Sequence, residues 1–237
     1  VSKYIALIDW QVSNLLTGES YCERVAALTR QATDQIFAMA GRVTKRDEKT
    51  AAAIFESLLL TGIAMSFTKT SRPGSGTEHI MAHFWECMEL LDSKTPNYHG
   101  EDVGVTTLIM LRYYEALARL PQVTAHPEIC NWDEIYSIYG PLAPDVQKLN
   151  TPDTITDGIA PRWIEACWPQ IRRIVQSVPS YDACLAAMRQ AGCKTTIEEV
   201  GKAPDFVDIS FRFHPYMRRR LSLKRVSHML DLPEDLF

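Results

Sequence analysis

Apolar residues recur at helical spacing along most of this 237-residue chain. In residues 2–16 they fall three or four positions apart, the spacing of one helix face, at Tyr4, Leu7, Ile8, Val12, Leu15 and Leu16. Runs that alternate apolar and polar residues are nearly absent. Residues 207–213 alternate loosely, but Asp208 and Arg212 fit a short helix or a turn equally well. The pattern predicts an all-α fold, a helical bundle.

Capping residues indicate where the helices begin and end. Thr17 or Ser20 is expected to cap a second helix that runs to about Ala40, and Gly41 is expected to end it. Later segments carry their own signals, with helix starts at Asn131, Pro161 and Ser180 and caps of the last helices at Thr196 and Ser222.

The most apolar stretch lies in a third predicted helix, from Asp47 to about Phe67. Its alanines and leucines favour helix, and the run from Leu58 to Phe67 is predicted to be buried. Gly62 is expected to mark close packing against a neighbouring helix. No stretch reaches 18 uninterrupted apolar residues, so no membrane-spanning helix is predicted.

Composition indicates a globular protein, with 46% apolar and 23% charged residues. A net charge of -4 lacks the broad basic field that nucleic-acid binding needs. The six cysteines show no CxxC spacing, which predicts reduced thiols rather than disulfides or a clustered zinc site. We therefore expect a single cytoplasmic domain over residues 1–237, with no nucleic-acid and no membrane partner.

The middle of the chain is predicted to form a helical hairpin. Ser75 is expected to cap its first helix, with Glu78 three residues on in the capping-box position. The second helix runs from about Gly100 to Leu120, where Pro121 stops it.

Three of the six histidines fall within 21 residues of this hairpin, at His79, His83 and His99. His79 and His83 stand one turn apart on one helix face, and the hairpin can fold His99 back toward them. Converging neutral imidazoles suit a divalent transition metal. The spacing alone leaves open the alternative that each histidine is a packed structural residue.

The surrounding residues carry a resemblance. S-R-P-G-S-G-T-E-H-x-x-x-H-F-W-E at residues 71–86, followed by H-G-E-D-V-G at residues 99–104, resembles the metal-binding helical domain of sn-glycerol-1-phosphate dehydrogenases. That family is grouped with iron-containing alcohol dehydrogenases, glycerol dehydrogenases and dehydroquinate synthases. The resemblance extends over residues 1 to about 120 and includes the opening S-K-Y-I-A-L-I-D-W.

The resemblance implies particular roles for particular residues. His79 and His99 match the family's two metal-binding histidines, and His83 matches the histidine that lies against substrate and moves a proton. Lys3, Arg72 and Ser75 are the implied substrate contacts. The implied reaction is hydride transfer between NAD or NADP and a polyol phosphate, with zinc, iron or nickel as the metal.

The resemblance also implies parts that would precede Val1. The family's third metal ligand is an aspartate just before the S-K-Y helix, and its nucleotide-binding domain comes earlier still. The chain is thus expected to be part of a larger two-domain, dimeric enzyme, inactive and weak in metal binding by itself.

Alternative interpretations remain at this point. A glycerol dehydrogenase or a dehydroquinate-synthase-like cyclase would share the histidine pattern, and a non-catalytic helical interaction module would use the histidines structurally. The turn at residues 72–76 is interpreted either as an anion-binding loop or as a plain helix cap. A basic cluster near the C-terminus is expected to be a solvated helix face, and it comprises Arg218, Arg219, Arg220, Lys224 and Arg225.

Overall fold

A computed structural model of the protein describes residues 1–45 and 47–237. Within those ranges the chain is helical and contains no strand beyond one isolated bridge between Ala125 and Leu230. The helices are α1 Lys3–Thr17, α2 Glu23–Ala38, α3 Ala40–Val43, α4 Glu48–Thr68, α5 Thr77–Leu91, α6 His99–Arg119, α7 Trp132–Tyr139, α8 Ala143–Asn150, α9 Pro161–Gln176, α10 Tyr181–Gln190, α11 Pro204–Phe213 and α12 Leu223–Val226. The predicted all-α fold is confirmed.

Helix α1 lies at the centre of the bundle. It contacts α2, α5, α6, α9 and α12, and its side chains are buried from Tyr4 through Trp10. Helices α5 and α6 form the predicted hairpin against it, and α9 covers the other side of α6. Because α1 is surrounded, its sequence is apolar on nearly every face rather than on one stripe.

Several predicted boundaries are confirmed by their capping hydrogen bonds. Asp47 caps α4 by accepting the Thr50 amide at 2.8 Å. The side chains of Asn131, Ser180 and Ser222 cap α7, α10 and α12 in the same way. Residues 207–213, for which strand, helix and turn were open, belong to α11.

Other boundaries differ from the prediction. Thr17 is the last residue of α1, and its hydroxyl donates to the Ser13 carbonyl instead of capping α2, which begins after Cys22. Gly41 lies inside α3 and ends no helix. Ser75 does not cap α5; Gly76 occupies that position, and the Glu78 carboxylate accepts the Gly76 amide at 3.2 Å. Thr196 caps a turn rather than a helix.

The prediction that Leu58 to Phe67 is buried is wrong. Helix α4 packs on α2 through one side only, while Leu58 and Phe67 are 61% and 76% exposed. No atom lies within 4 Å of where a Cβ on Gly62 would be, so this glycine marks no close packing. Among the described residues, α4 is the one helix that is long and apolar enough to cross a membrane by length and composition alone.

The C-terminal basic cluster is not a single solvated face. Arg218 and Arg219 are exposed, but Lys224 and Arg225 are buried. Arg225 forms an ion pair with the buried Glu128 at 2.6 Å, and its guanidinium stacks on the Tyr216 ring. A buried charge needs a partner, and Glu128, 97 residues away, gives no local sequence signal. All six cysteines are free thiols, as predicted.

Candidate metal site on the helical hairpin

The hairpin brings the three predicted histidines together. The ring centroids of His79 and His99 lie 5.5 Å apart, and those of His83 and His99 lie 4.9 Å apart with nearly parallel planes. His79 is mostly buried, whereas His83 and His99 are partly exposed. The cluster therefore opens to solvent on the His83 side and is closed on the His79 side.

One carboxylate joins two of these rings. Glu86 Oε1 lies 2.6 Å from His99 Nδ1, and Oε2 lies 2.9 Å from His83 Nδ1. Partial burial acts to raise the pKa of Glu86, but the hydrogen bonds from His99 and His83 outweigh it, and the pKa is lowered. Glu86 is thus an anion that fixes both rings through Nδ1 and leaves each Nε2 free. Its position three residues after His83 in H-F-W-E was the available sequence signal.

A second carboxylate holds His79. The fully buried Glu78 lies 2.6 Å from His79 Nδ1 through Oε1, and its Oε2 has no hydrogen-bond partner. The Glu78 carbonyl also accepts the Thr106 hydroxyl at 2.8 Å, which fixes the start of α5 against α6. As with Glu86, the imidazole is bound at Nδ1, so Nε2 remains available as a ligand.

The N-terminus of α5 is fixed by α1. Asp9, on α1, accepts the Thr77 amide at 2.7 Å, the Leu223 amide at 2.9 Å and the Tyr114 hydroxyl at 2.6 Å. Burial raises the pKa of Asp9 to about 7, against the opposing effect of these donors. A Cβ on Gly76 would lie 2.8 Å from Ala6 Cα. The two backbones touch here, so α5 has one allowed position along α1.

The predicted substrate residues lie around the turn that precedes α5. Lys3 Nζ donates to the Gly74 carbonyl at 2.8 Å, and burial lowers the pKa of Lys3. Ser75 is half-buried, and its amide donates to the Ser71 carbonyl at 2.9 Å. Both residues therefore lie at the loop that leads to His79, and their contact with substrate stays a prediction.

Arg72 is buried beneath the same loop. Its guanidinium donates to Glu19, at 2.9 Å from Nε and 2.6 Å from Nη2, and to the Leu221 carbonyl at 2.8 Å. These contacts hold the guanidinium inside the protein, and direct binding of phosphate by Arg72 stays a prediction. Arg220, which the sequence placed in the C-terminal basic cluster rather than at this loop, donates to Ser71 Oγ at 2.6 Å.

The donor set fits a divalent metal ion. His83, Glu86 and His99 each offer a ligand atom within 4.8 Å of the others, and His79 lies beside them. Imidazole with carboxylate accepts zinc, iron or nickel. Carboxylates on the Nδ1 atoms are the usual outer partners of metal-binding histidines, because they set the tautomer and orient the ring. The hairpin thus carries a candidate imidazole–carboxylate metal site.

Comparison with known proteins confirms the resemblance seen in the sequence. No family model matches the chain. A glycerol-1-phosphate dehydrogenase (NAD(P)+) of Geobacillus stearothermophilus is 27% identical over 237 residues, 100% of this chain and 52% of that protein. The same-named proteins of Bacillus licheniformis and Methanothermobacter thermautotrophicus are each 33% identical, over 149 and 137 residues. These matches cover 63% and 54% of this chain, and 36% and 38% of those proteins.

The chain is therefore similar to curated glycerol-1-phosphate dehydrogenases along its whole length, and it spans about half the length of the relatives it matches. The similarity covers the residues that form the hairpin site.

Proposed function

We propose that residues 1–237 form one metal- and substrate-binding domain of an NAD(P)-linked dehydrogenase that interconverts glycerol 1-phosphate and dihydroxyacetone phosphate. The observation that carries this proposal is the convergence of His79, His83 and His99 on one hairpin, with Glu78 and Glu86 bound to their Nδ1 atoms. The similarity to relatives named for that activity supports the choice of substrate. Nicotinamide cofactor is proposed to bind mainly to a separate nucleotide-binding domain.

The three histidines are proposed to have two different roles, metal binding and proton transfer. His79 and His99 bind the metal through Nε2, held in orientation by Glu78 and Glu86. A divalent ion bound there lowers the pKa of a substrate hydroxyl and, in the reverse direction, polarises a ketone. The His83 ring is partly exposed, so it can exchange the substrate proton with solvent while Glu86 fixes its Nδ1 atom.

The substrate phosphate is proposed to lie over the loop at residues 71–76. Lys3 donates to the Gly74 carbonyl of this loop, Ser75 belongs to the loop, and the buried Arg72 side chain anchors the loop to the Leu221 carbonyl. Arg220 adds a cationic group on the same side. We further propose that the protein is cytoplasmic, acts without nucleic-acid or membrane partners, and forms a homo-oligomer.

Activity should be measured on the longest natural polypeptide that contains these 237 residues. Oxidation of glycerol 1-phosphate should reduce NAD+ or NADP+, and glycerol without phosphate should be a poor substrate. Metal content by plasma mass spectrometry should approach one ion per chain, and its removal by chelator should abolish turnover. Bound metal without any dehydrogenase activity on either polyol would contradict the proposal, as would full activity after complete metal removal.

A further inference from the structure

One face of α4 is apolar and uncovered. Phe55, Leu59, Ile63 and Phe67 follow one another at intervals of four residues and are 63%, 51%, 47% and 76% exposed. Residues four apart form a continuous ridge on a helix surface, here about 18 Å long. Monomeric proteins rarely expose a contiguous apolar patch of this kind without a partner for it.

The ridge has a two-fold pattern in its own sequence. Phe55 and Phe67 lie six residues on either side of position 61, and Leu59 and Ile63 lie two residues on either side of it. A second copy of α4, laid antiparallel around a two-fold axis at that point, places aromatic against aromatic at both ends. The same axis places Leu against Ile in the middle. Interfaces between identical subunits require this self-complementarity, since the same patch must fit itself.

Charge on this face agrees with such a pairing. Glu56 is the single charged side chain between positions 50 and 68. The antiparallel register places Glu56 opposite Ser66 of the other copy, so no like charges face each other. A nearby Gly62 leaves open space beside the ridge, with no atom within 4 Å of its Cβ position.

The area is sufficient for a specific contact. The four ridge residues each expose about half of a side chain or more, and Ala52, Glu56 and Ser66 on the same face are exposed as well. At about 100 Å² for each ridge residue and about 100 Å² in all for the three flanking ones, the face contributes about 500 Å² per chain, or about 1,000 Å² in a pair, which is the lower bound for a specific interface. Burial of that area is favourable by about 25 cal/mol per Å², before the cost of association.

We propose that the ridge of α4, formed by Phe55, Leu59, Ile63 and Phe67, is the interface of a two-fold dimer in which α4 packs antiparallel against α4 of a second copy of this chain. The contact lies on α4, whereas the histidines lie on α5 and α6. The dimer therefore forms without rearrangement of the hairpin site.

Two complementary charge substitutions test the register. In a dimer of Leu59→Glu, each introduced glutamate faces Ile63 of the other copy, so two charges are buried against apolar side chains. In a dimer of Ile63→Lys, each introduced lysine likewise faces Leu59 of the other copy. In an equal mixture, one chain of each kind pairs Glu with Lys at one contact and keeps Ile against Leu at the other. Sedimentation equilibrium on the longest natural polypeptide should show a dimer for the unchanged protein. Each variant alone should dimerise about 100-fold or more weakly, and the mixture should recover a dimer.

Ile129→Glu is the matched control, because Ile129 is 85% exposed and lies outside α4. It should leave the dimer intact. Circular dichroism should show unchanged helix content for all three variants, since the altered side chains project into solvent in the single chain.

Three results would overturn the proposal. The first is an unchanged protein that remains monomeric at every concentration. The second is a dimer that survives Leu59→Glu and Ile63→Lys, which would place the interface elsewhere. The third is binding of the unchanged protein, but not of Leu59→Glu, to vesicles of phosphatidylcholine and phosphatidylglycerol, which would assign the ridge to a lipid surface.

Discussion

Glu86 and His99 lie 13 residues apart in sequence, yet the carboxylate of one is 2.6 Å from Nδ1 of the other. The pair joins α5 to α6 near the loop that connects the two helices. Because Glu86 also holds His83, one side chain sets the distance between a proposed metal ligand and the proposed proton-transfer group. The first prediction concerns this shared carboxylate.

Glu86→Gln should weaken metal binding by about 10–100-fold, the usual effect of losing an outer partner of a metal-binding histidine. His99 and His83 are bound by different oxygens of Glu86, and in Gln one of these two atoms becomes an NH2 donor that cannot accept from an imidazole N–H. Titration against a chelating indicator measures the affinity directly, without reference to turnover. Glu134→Gln, which affects exposed contacts with Arg212 and Asn131 away from the histidines, is the control and should leave the affinity unchanged. Equal affinities for Glu86→Gln and the unchanged protein would remove Glu86 from the site.

The three histidines should respond differently to replacement by alanine. His79→Ala and His99→Ala should lose both the metal and the activity, because each removes a ligand. His83→Ala should retain most of its metal and lose about 10²–10⁴-fold in rate, the range for a general acid–base group. Metal content per subunit, measured beside turnover, distinguishes these roles. If His83→Ala loses its metal as completely as the other two, then His83 is a ligand; full activity in all three would make the histidines structural.

Gly76→Ala should destabilise the protein by about 1–3 kcal/mol, because the new methyl group would overlap the backbone of Ala6. The free energy of unfolding in urea measures this cost, and the metal affinity should fall with it, since α5 must shift. Gly100→Ala is the matched control, because nothing lies within 4 Å of its Cβ position. That substitution should be neutral or stabilising by up to about 1 kcal/mol. A tolerated Gly76→Ala would show that α1 and α5 are not in contact there.

Glu128 should make stability fall in acid. Burial acts to raise its pKa, but the hydrogen bond from His228 and the charge of Arg225 outweigh it and lower the pKa to about 2. A lowered pKa stabilises the folded state above the unfolded value of 4.5, and this contribution is lost as the pH falls from about 4.5 to about 2.

Glu128→Gln should therefore cost about 3 kcal/mol at neutral pH, because it leaves Arg225 buried without its counter-ion. The difference from the unchanged protein should shrink as the pH falls through that window. Urea unfolding at a series of pH values provides the measurement. A difference that stays constant from neutral pH to pH 2 would contradict the assignment.

Local signals in the sequence were sufficient for most helices and for the three histidines. The cap at Asp47 and the 3.6-residue periodicity of α1 act within a few residues, so they can be identified without the fold. The exposed face of α4 could not be predicted from its sequence. Apolar content indicates that a helix face is buried against another surface, but it does not show whether that surface belongs to the same chain or to a partner. The buried pair of Arg225 with Glu128 was missed for a related reason: a partner 97 residues away is supplied by tertiary structure alone.

Within the candidate site, the sequence identified the imidazoles but assigned the carboxylates incompletely. Glu78 was expected as a cap, and it does accept the Gly76 amide while it also holds His79. Arg72 was expected at the substrate, yet its donors are turned toward Glu19 and Leu221. A charged residue beside a glycine-rich turn can point either into the protein or toward the substrate side. The tertiary packing around the loop determines which orientation it takes, and the local sequence does not show it.

The three hydrogen bonds accepted by Asp9 have a consequence for how the protein opens. They connect α1 to the first turn of α5, to Tyr114 on α6 and to the start of α12, and the partners lie as many as 214 residues from Asp9 in sequence. Segments joined through one buried carboxyl group do not fray independently, because releasing any one of them removes one of the three donors to that buried group. The amides of Thr77 and Leu223 should consequently exchange with solvent deuterium only on global unfolding, whereas amides of α4, which has one exposed face, should exchange more readily. Opening the start of the histidine helix α5 should therefore require about the same free energy as unfolding the whole bundle.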